Sequence, residues 1–239
     1  MHRLYVPPAQ LAGAPRVKLT ADQSRHLLTV LRLPPGAAIE VFDGAGGRFQ
    51  AVLAGQELEI GARLAADGRK TDVVLVQALA KGEKMDLIVQ KATELGVARI
   101  VPLSAARAVV RLDSDRGRSR AGRWRRIAEE ASRQCGRADV PRIDEPAGWD
   151  AAFSLAREED RRALLLDPEE RQLRLGAAAR GVSRLLLAVG PEGGFSDSEK
   201  TGATQAGFVP AGLGPLVLRS ETAGLAALAV VLHVNGELG

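Results

Sequence analysis

The residues best placed to do chemistry are Gly190-Pro191-Glu192-Gly193-Gly194, a glycine turn that carries one acid. The apolar run Leu185 to Val189 leads into it. Ser196 and Glu199 follow at capping-box spacing, in which each side chain satisfies a free backbone N–H of the first helical turn. Strand, glycine loop and helix in succession is where an α/β protein holds a nucleotide-like ligand. The loop is not a P-loop, because no Gly-Lys-Ser/Thr closes it, and its glycines lack the G-x-G-x-x-G spacing of a dinucleotide fold. Glu192 would repel a phosphate, so the loop suits a ligand that carries none. A sharp strand-to-helix turn with no ligand is the plainer reading of the same residues.

A second stretch dense in glycine and proline, Gly207 to Pro215, precedes Leu216 to Arg219. Ser220 is then the expected N-cap of a helix from Glu221 to Val234. Gly224, Ala226, Ala227 and Ala229 leave that helix a small surface, able to approach another backbone closely inside the subunit or across an interface.

The elements that must position these loops change rhythm near residue 72. Upstream the chain reads as β-rich. A strand at Leu4 to Val6 is followed by the capping box Thr20-x-x-Gln23, and by a helix to about Arg32 that Pro34-Pro35-Gly36 stops. Ala38 to Phe42 and Arg48 to Leu53 flank the hairpin loop Asp43-Gly44-Ala45-Gly46-Gly47, and Glu57 to Leu64 alternates as a half-buried strand. Lys70-Thr71-Asp72 serves as a linker.

Downstream, strands and helices alternate. Val73 to Leu79 is a strand, and Met85, Ile88, Ala92 and Leu95 line one helix face that Gly96 ends. Ala98 to Leu103 returns as a strand, which completes one βαβ unit and implies a parallel sheet. A loop is expected from Ala105 to Gly122, then a helix whose stripe of Trp124, Ile127, Ala128, Ala131 and Cys135 points to the core. Trp149 to Ala156, Arg162 to Asp167 and Gln172 to Arg180 read as helix, strand and short helix.

Composition narrows the function classes. With 239 residues and 46% hydrophobic content the chain can bury one large core or two modest ones. No apolar run reaches the roughly 18 residues of a membrane span, and MHRLYVPP has no signal-peptide core. One cysteine allows no internal disulfide and suits a reducing cytoplasm, and with three histidines it makes a structural metal site an unattractive reading. The net charge is only +4, yet Arg107 to Arg137 holds ten arginines against four acids, a local +6. That is the electrostatic footprint of a phosphate backbone. A solvated helix face accounts for part of it, since Glu129 stands four residues from Arg125 and Arg133, and Glu130 four from Arg126. Arg116, Arg118, Arg120 and Arg123 have no acid at that spacing.

Together the stretches GPEGGFSDSE (190–199) and LGPLVLRSETA (213–223) closely resemble the signature of the RsmE family, bacterial 16S rRNA uridine-N3 methyltransferases of the SPOUT superfamily. The resemblance extends through KMDLIVQKATELGVARIVPL (84–103), RWRRIAEEASRQCGRADVP (123–141), HLLTVLRLPPG and IEVFDGAGGRFQA, in order along nearly the whole chain. It departs from the family pattern at Leu216, where a basic residue is common, at Cys135, usually a serine, and at Leu4, usually an aromatic.

The resemblance implies a PUA-like β-barrel for RNA docking over residues 1–71. Over residues 72–239 it implies an α/β SPOUT domain with a parallel sheet and a deep trefoil knot. It further implies a homodimer with active sites at the interface, acting in the cytoplasm on 16S rRNA or the small ribosomal subunit, with S-adenosylmethionine as cofactor, S-adenosylhomocysteine as product and no metal. By analogy the cofactor lies against Leu166, against Val189, Gly190, Pro191, Glu192 and Gly193, and against Leu213, Gly214, Val217 and Leu218, with Thr222 at the base of the last helix. Arg3, Arg25, Arg32, Arg116, Arg118, Arg120, Arg123, Gln134 and Arg137 are the candidate RNA contacts. Uridine N3 is too weakly acidic to ionise freely at neutral pH, so a general base or a cation at the developing anion is expected. Arg219 is assigned to electrostatic stabilisation, and Glu221 to proton acceptance or to holding Arg219; Glu221 could equally be a first-turn acid complementing the helix dipole. Two other functions fit the same residues: methylation of a different base or of a ribose 2′-hydroxyl, and RNA binding without catalysis.

Overall fold

A computed structural model of the chain describes residues 2–11, 13–65, 68–108, 114–158 and 161–239. The chain divides into two compact units, Met1–Gly68 with Glu129–Val140, and Arg69–Ala128 with Pro141–Gly239. Residues 129–140, assigned by sequence to the second domain, therefore group with the first.

The first unit holds β1 (His2–Tyr5), α1 (Pro8–Leu11), β2 (Arg16–Lys18), α2 (Ala21–Ser24), β3 (Ala38–Phe42), β4 (Arg48–Ala54) and β5 (Glu57–Leu64). Its five-stranded sheet has the order β1-β3-β4-β5-β2, with β1 parallel to β3 and the other ladders antiparallel. Alternation along the strands turns Leu4, Val17, Ile39, Val41, Leu53 and Leu58 into one core. The expected capping box forms: Gln23 N donates to Thr20 Oγ1 at 3.2 Å and Thr20 N to Gln23 Oε1 at 2.9 Å. The helix then widens into a π-helical stretch, Arg25–Val30, and ends before the prolines at Arg32, which adopts φ 52°. In the hairpin loop, Asp43 Oδ1 accepts from Ala45 N at 2.7 Å and Gly47 N at 2.8 Å, which closes the turn.

The second unit runs β6 (Asp72–Ala78), α3 (Lys84–Leu95), β7 (Arg99–Leu103), α4 (Ser114–Cys135, which continues into the first unit), β8 (Arg142–Ile143), α5 (Trp149–Ala156) and β9 (Arg162–Leu166). It continues with α6 (Leu175–Ala179), β10 (Arg184–Val189), α7 (Asp197–Gln205), β11 (Val209–Ala211) and α8 (Ser220–Val234). Six parallel strands pair in the order β11-β9-β10-β6-β7-β8. The strands are buried on both faces, so they read as apolar runs without alternation. Val74, Val76, Ala78, Leu186 and Ala188 pack on one side with α5, Phe195, Ala203 and Phe208. On the other side α8 packs against α3, α6, β6 and β10.

Three sequence expectations need correction. Residues 109–113 of the expected loop 105–122 lie outside those described, and α4 already begins at Ser114, so Arg116, Arg118 and Arg120 are helical. Cys135 is exposed rather than core, because it falls in the last turn of α4. Ser220 is the first residue of α8, whose N-cap is Arg219 with no side-chain cap bond.

Close approach between segments explains two glycines. After β11 the chain runs tight against the loop that follows β9: Gly212 N donates to Leu173 O at 2.9 Å and Leu175 N to Gly212 O at 3.0 Å. A Cβ on Gly212 would overlap the Glu170 carbonyl oxygen, so only glycine passes. On α8, a Cβ at Gly224 would lie 2.6 Å from Gln77 Oε1, so the small-residue face expected of this helix packs inside the subunit at this position.

Candidate active site

A pocket of about 510 Å³ opens where β9, β10 and β11 end, at the carboxyl edge of the parallel sheet. Leu166 and Asp167 line it after β9, Val189 to Phe195 after β10, and Leu213, Gly214 and Leu216 to Ser220 after β11. Of the residues proposed from sequence to hold a cofactor, all but Thr222 lie in its walls, and so does Arg219. Thr222, on the first turn of α8, is exposed and does not line it. Glu221 is also outside the lining.

The walls are fixed from beneath. Gln77, fully buried at the end of β6, donates through Nε2 to Ser220 Oγ at 2.9 Å, and that hydroxyl donates to the Gly190 carbonyl at 2.7 Å. Arg107 donates to Gly193 O at 3.1 Å and Phe195 O at 3.4 Å. The capping box predicted at Ser196 does more than start α7. Glu199 Oε2 accepts from Ser196 N at 2.8 Å, while Oε1 accepts from Ala106 N at 2.8 Å and Trp149 Nε1 at 2.9 Å. Burial pushes the Glu199 carboxyl up, but these donors outweigh it and hold it below the usual carboxylate range.

The charges around the pocket are mostly spent on one another. Lys200 Nζ lies 2.8 Å from Asp167 and 3.1 Å from Glu169, with Asp167 the main cause of its raised pKa. Glu192 is met by Lys84 Nζ at 2.9 Å, which holds its carboxyl below the usual range and reaches Glu221 Oε2 at 3.2 Å as well. Glu221 thus engages Lys84, not Arg219 as one sequence expectation had it. Among the described residues, none pairs with the Arg219 guanidinium, which is exposed at the pocket. Among the described residues the lining sets the acids Asp167, Glu169, Glu192 and Asp197 against the cations Arg107, Lys200 and Arg219, a balance that disfavours a polyphosphate. It fits S-adenosylmethionine, whose sulfonium is positive and whose adenine can lie on apolar walls such as Leu166, Val189, Leu213 and Leu218. Among the described residues no group of three His, Cys, Asp or Glu side chains gathers as a metal site.

The residues missed from sequence are Lys84, Gln77, Ser220 and Arg107. A lysine in the first turn of α3 opposes the helix dipole, which was the available signal for Lys84. Nothing local marks Gln77, a polar residue in an apolar strand whose partner stands 143 positions on.

The RNA candidates separate into two groups. Arg3 is withdrawn: it donates to Glu40 at 2.9 Å and to the carbonyls of Ser132, Arg133 and Arg137, closing the C-terminal end of α4. Arg137 is withdrawn as well, its side chain only 8% exposed and paired with Asp139 at 2.6 Å. Arg25, Arg32, Arg116, Arg118, Arg120, Arg123 and Gln134 are exposed. Arg118 and Arg123, unpaired by sequence spacing, find Asp115 and Asp86; the latter is 37 positions away and beyond any helical-spacing rule.

The chain matches two family models, an RNA methyltransferase domain over residues 68–232 and an RNA methyltransferase PUA domain over residues 19–59. It is 30% identical to the ribosomal RNA small subunit methyltransferase E of Bacillus subtilis over 94% of this chain and 92% of that protein. It is 33% identical to the protein of the same name from Mycobacterium tuberculosis, over 95% of this chain and 89% of that one. Among solved structures it is similar to a ribosomal RNA small subunit methyltransferase E from Neisseria gonorrhoeae bound to S-adenosylmethionine, with a TM-score of 0.89, 33% identity and full coverage of both chains. A methyltransferase from Legionella pneumophila, also with bound S-adenosylmethionine, aligns with a TM-score of 0.86 and 32% identity over 99% of this chain and 98% of that one.

Proposed function

The chain belongs to the ribosomal RNA small subunit methyltransferase E (RsmE) family, and we propose that it methylates N3 of one uridine in 16S rRNA of the small ribosomal subunit, using S-adenosylmethionine. The observation that carries this reading is the pocket at the ends of β9, β10 and β11, with acid-rich walls and the Arg219 guanidinium, unpaired among the described residues, in its lining.

When bound, S-adenosylmethionine supplies a methyl group on a sulfonium, a carbon open to in-line displacement. The chain's task is to fix an acceptor nitrogen on that axis, and a rigid wall does this best. The Gln77–Ser220–Gly190 chain and the Arg107 contacts give the wall its rigidity. The N3 proton must also leave. Glu192 and Glu221 are both engaged by the Lys84 ammonium rather than free to take it. The burden falls on Arg219, whose cation stabilises the uridine anion while the proton departs to solvent.

The first unit, as a PUA-like domain, would dock RNA together with the exposed arginines of α4. A second copy of the chain would cover Leu216 and Val217, which are 75% and 77% exposed at the pocket mouth, and complete the active site there. The close passage at Gly212 supports a knotted threading of 212–219 past the loop 167–174. The cytoplasm, where ribosomal subunits are assembled, is the expected site of action, and no described helix is long and apolar enough to cross a membrane.

Primer extension on 16S rRNA from cells lacking the protein tests the acceptor. An N3 methyl blocks the pairing edge and stops the polymerase, so one stop present in parent cells should vanish. If no stop is lost, the uridine-N3 assignment fails.

A further inference from the structure

Lys84 opens α3, at the end of a helix that disfavours cations, so the helix itself gives no reason for it. Its ammonium lies between two carboxylates from distant parts of the chain, 2.9 Å from Glu192 and 3.2 Å from Glu221. Glu192 sits in the pocket wall; Glu221 sits on the first turn of α8, two residues past Arg219 and outside the lining. One side chain therefore joins the start of α3, the loop after β10 and the start of α8. Without it the two carboxylates would face each other and repel.

We infer that Lys84 is a positioning residue: its ammonium holds the Glu192 wall against the first turn of α8 and so sets the distance between the glycine loop and Arg219. The inference rests on reading that loop as a wall of the methyl-donor pocket. Lys84 touches neither the acceptor nor the donor in this role; it acts through the two acids. A purely structural lysine would respond to its own loss alone. A clamp between like charges also responds to removal of the second charge, and that difference is measurable.

The test compares Lys84→Met, Lys84→Arg and the double variant Lys84→Met/Glu221→Gln by calorimetry with S-adenosylhomocysteine, and by hydrogen exchange of residues 190–194 in ligand-free protein. Lys84→Met should weaken binding by about tenfold and speed exchange in the loop, the size expected for coupled charges in contact. Lys84→Arg, which keeps the cation, should stay within about threefold of the parent, and the double variant should bind several-fold more tightly than Lys84→Met because the repulsion is gone. Unchanged binding and exchange in Lys84→Met, or a double variant no tighter than the single one, overturns the inference. Should Lys84→Met fail to fold, Glu192→Gln/Glu221→Gln strips the lysine of both partners; faster loop exchange supports the clamp and unchanged exchange contradicts it. A parent protein that binds no S-adenosylhomocysteine would refute the pocket reading itself, while the exchange measurements still decide the role of Lys84.

Discussion

Arg219 and Glu199 show how differently single residues enter this site. Arg219 reaches the pocket with its guanidinium uncommitted among the described residues, so its removal should cost chemistry and little else. Arg219→Ala is expected to lower methyl transfer by on the order of a hundredfold or more, the usual effect of losing one transition-state charge partner, while S-adenosylhomocysteine affinity stays close to the parent's. Equal losses in both would make Arg219 a binding residue instead. Glu199 is structural. Its folded pKa is depressed, so its stabilisation is present above the ordinary carboxylate range and is lost as pH falls through the folded value. Urea unfolding of Glu199→Gln should therefore show a deficit of roughly 2 kcal/mol at neutral pH, since its amide meets donors where a carboxylate is wanted. That gap should begin to close as pH falls through the ordinary carboxylate range and vanish below the folded value. A gap that stays constant with pH would mean the carboxylate charge is not what matters. At this scale the sequence disclosed the loop residues, because glycine spacing and a capping box are local patterns. Lys84, Gln77 and Ser220 act through partners more than a hundred positions away, and no local pattern records such pairs.

Among the elements, the parallel sheet was legible from uninterrupted apolar runs spaced by helical stripes, and both capping boxes form where Thr20 and Ser196 placed them. The start of α4 was not legible. Its first two turns carry arginines, serines and a glycine without an apolar stripe, and what anchors them follows later in the helix, where Ala121 and Trp124 are buried and Arg123 and Trp124 Nε1 both bond Asp86. The passage at Gly212 was equally hidden, since it depends on where two loops cross. Gly212→Ala places a methyl group on the Glu170 carbonyl, backbone against backbone, and should lower the melting temperature by several degrees or abolish soluble expression, within the range of overpacking effects. A variant that melts with the parent would show that the two loops can separate without cost.

For the whole molecule, the modest net charge conceals a basic segment, and that segment, not the total, predicts behaviour toward RNA. Binding of 16S rRNA should weaken by on the order of tenfold between 50 and 200 mM salt, as expected when a few arginines displace counterions. Affinity that ignores salt would remove α4 from the interface. The withdrawn residues sharpen this: Arg3→Gln should destabilise the first unit, where Arg3 meets Glu40 and the end of α4, rather than flatten the salt dependence. The most direct test of the central claim is to incubate small subunits from cells lacking the protein with the purified chain and labelled S-adenosylmethionine, and to identify the methylated nucleoside by mass spectrometry. 3-Methyluridine at one position, absent with Arg219→Ala, is the predicted result; label in a ribose, in another base or nowhere would contradict it.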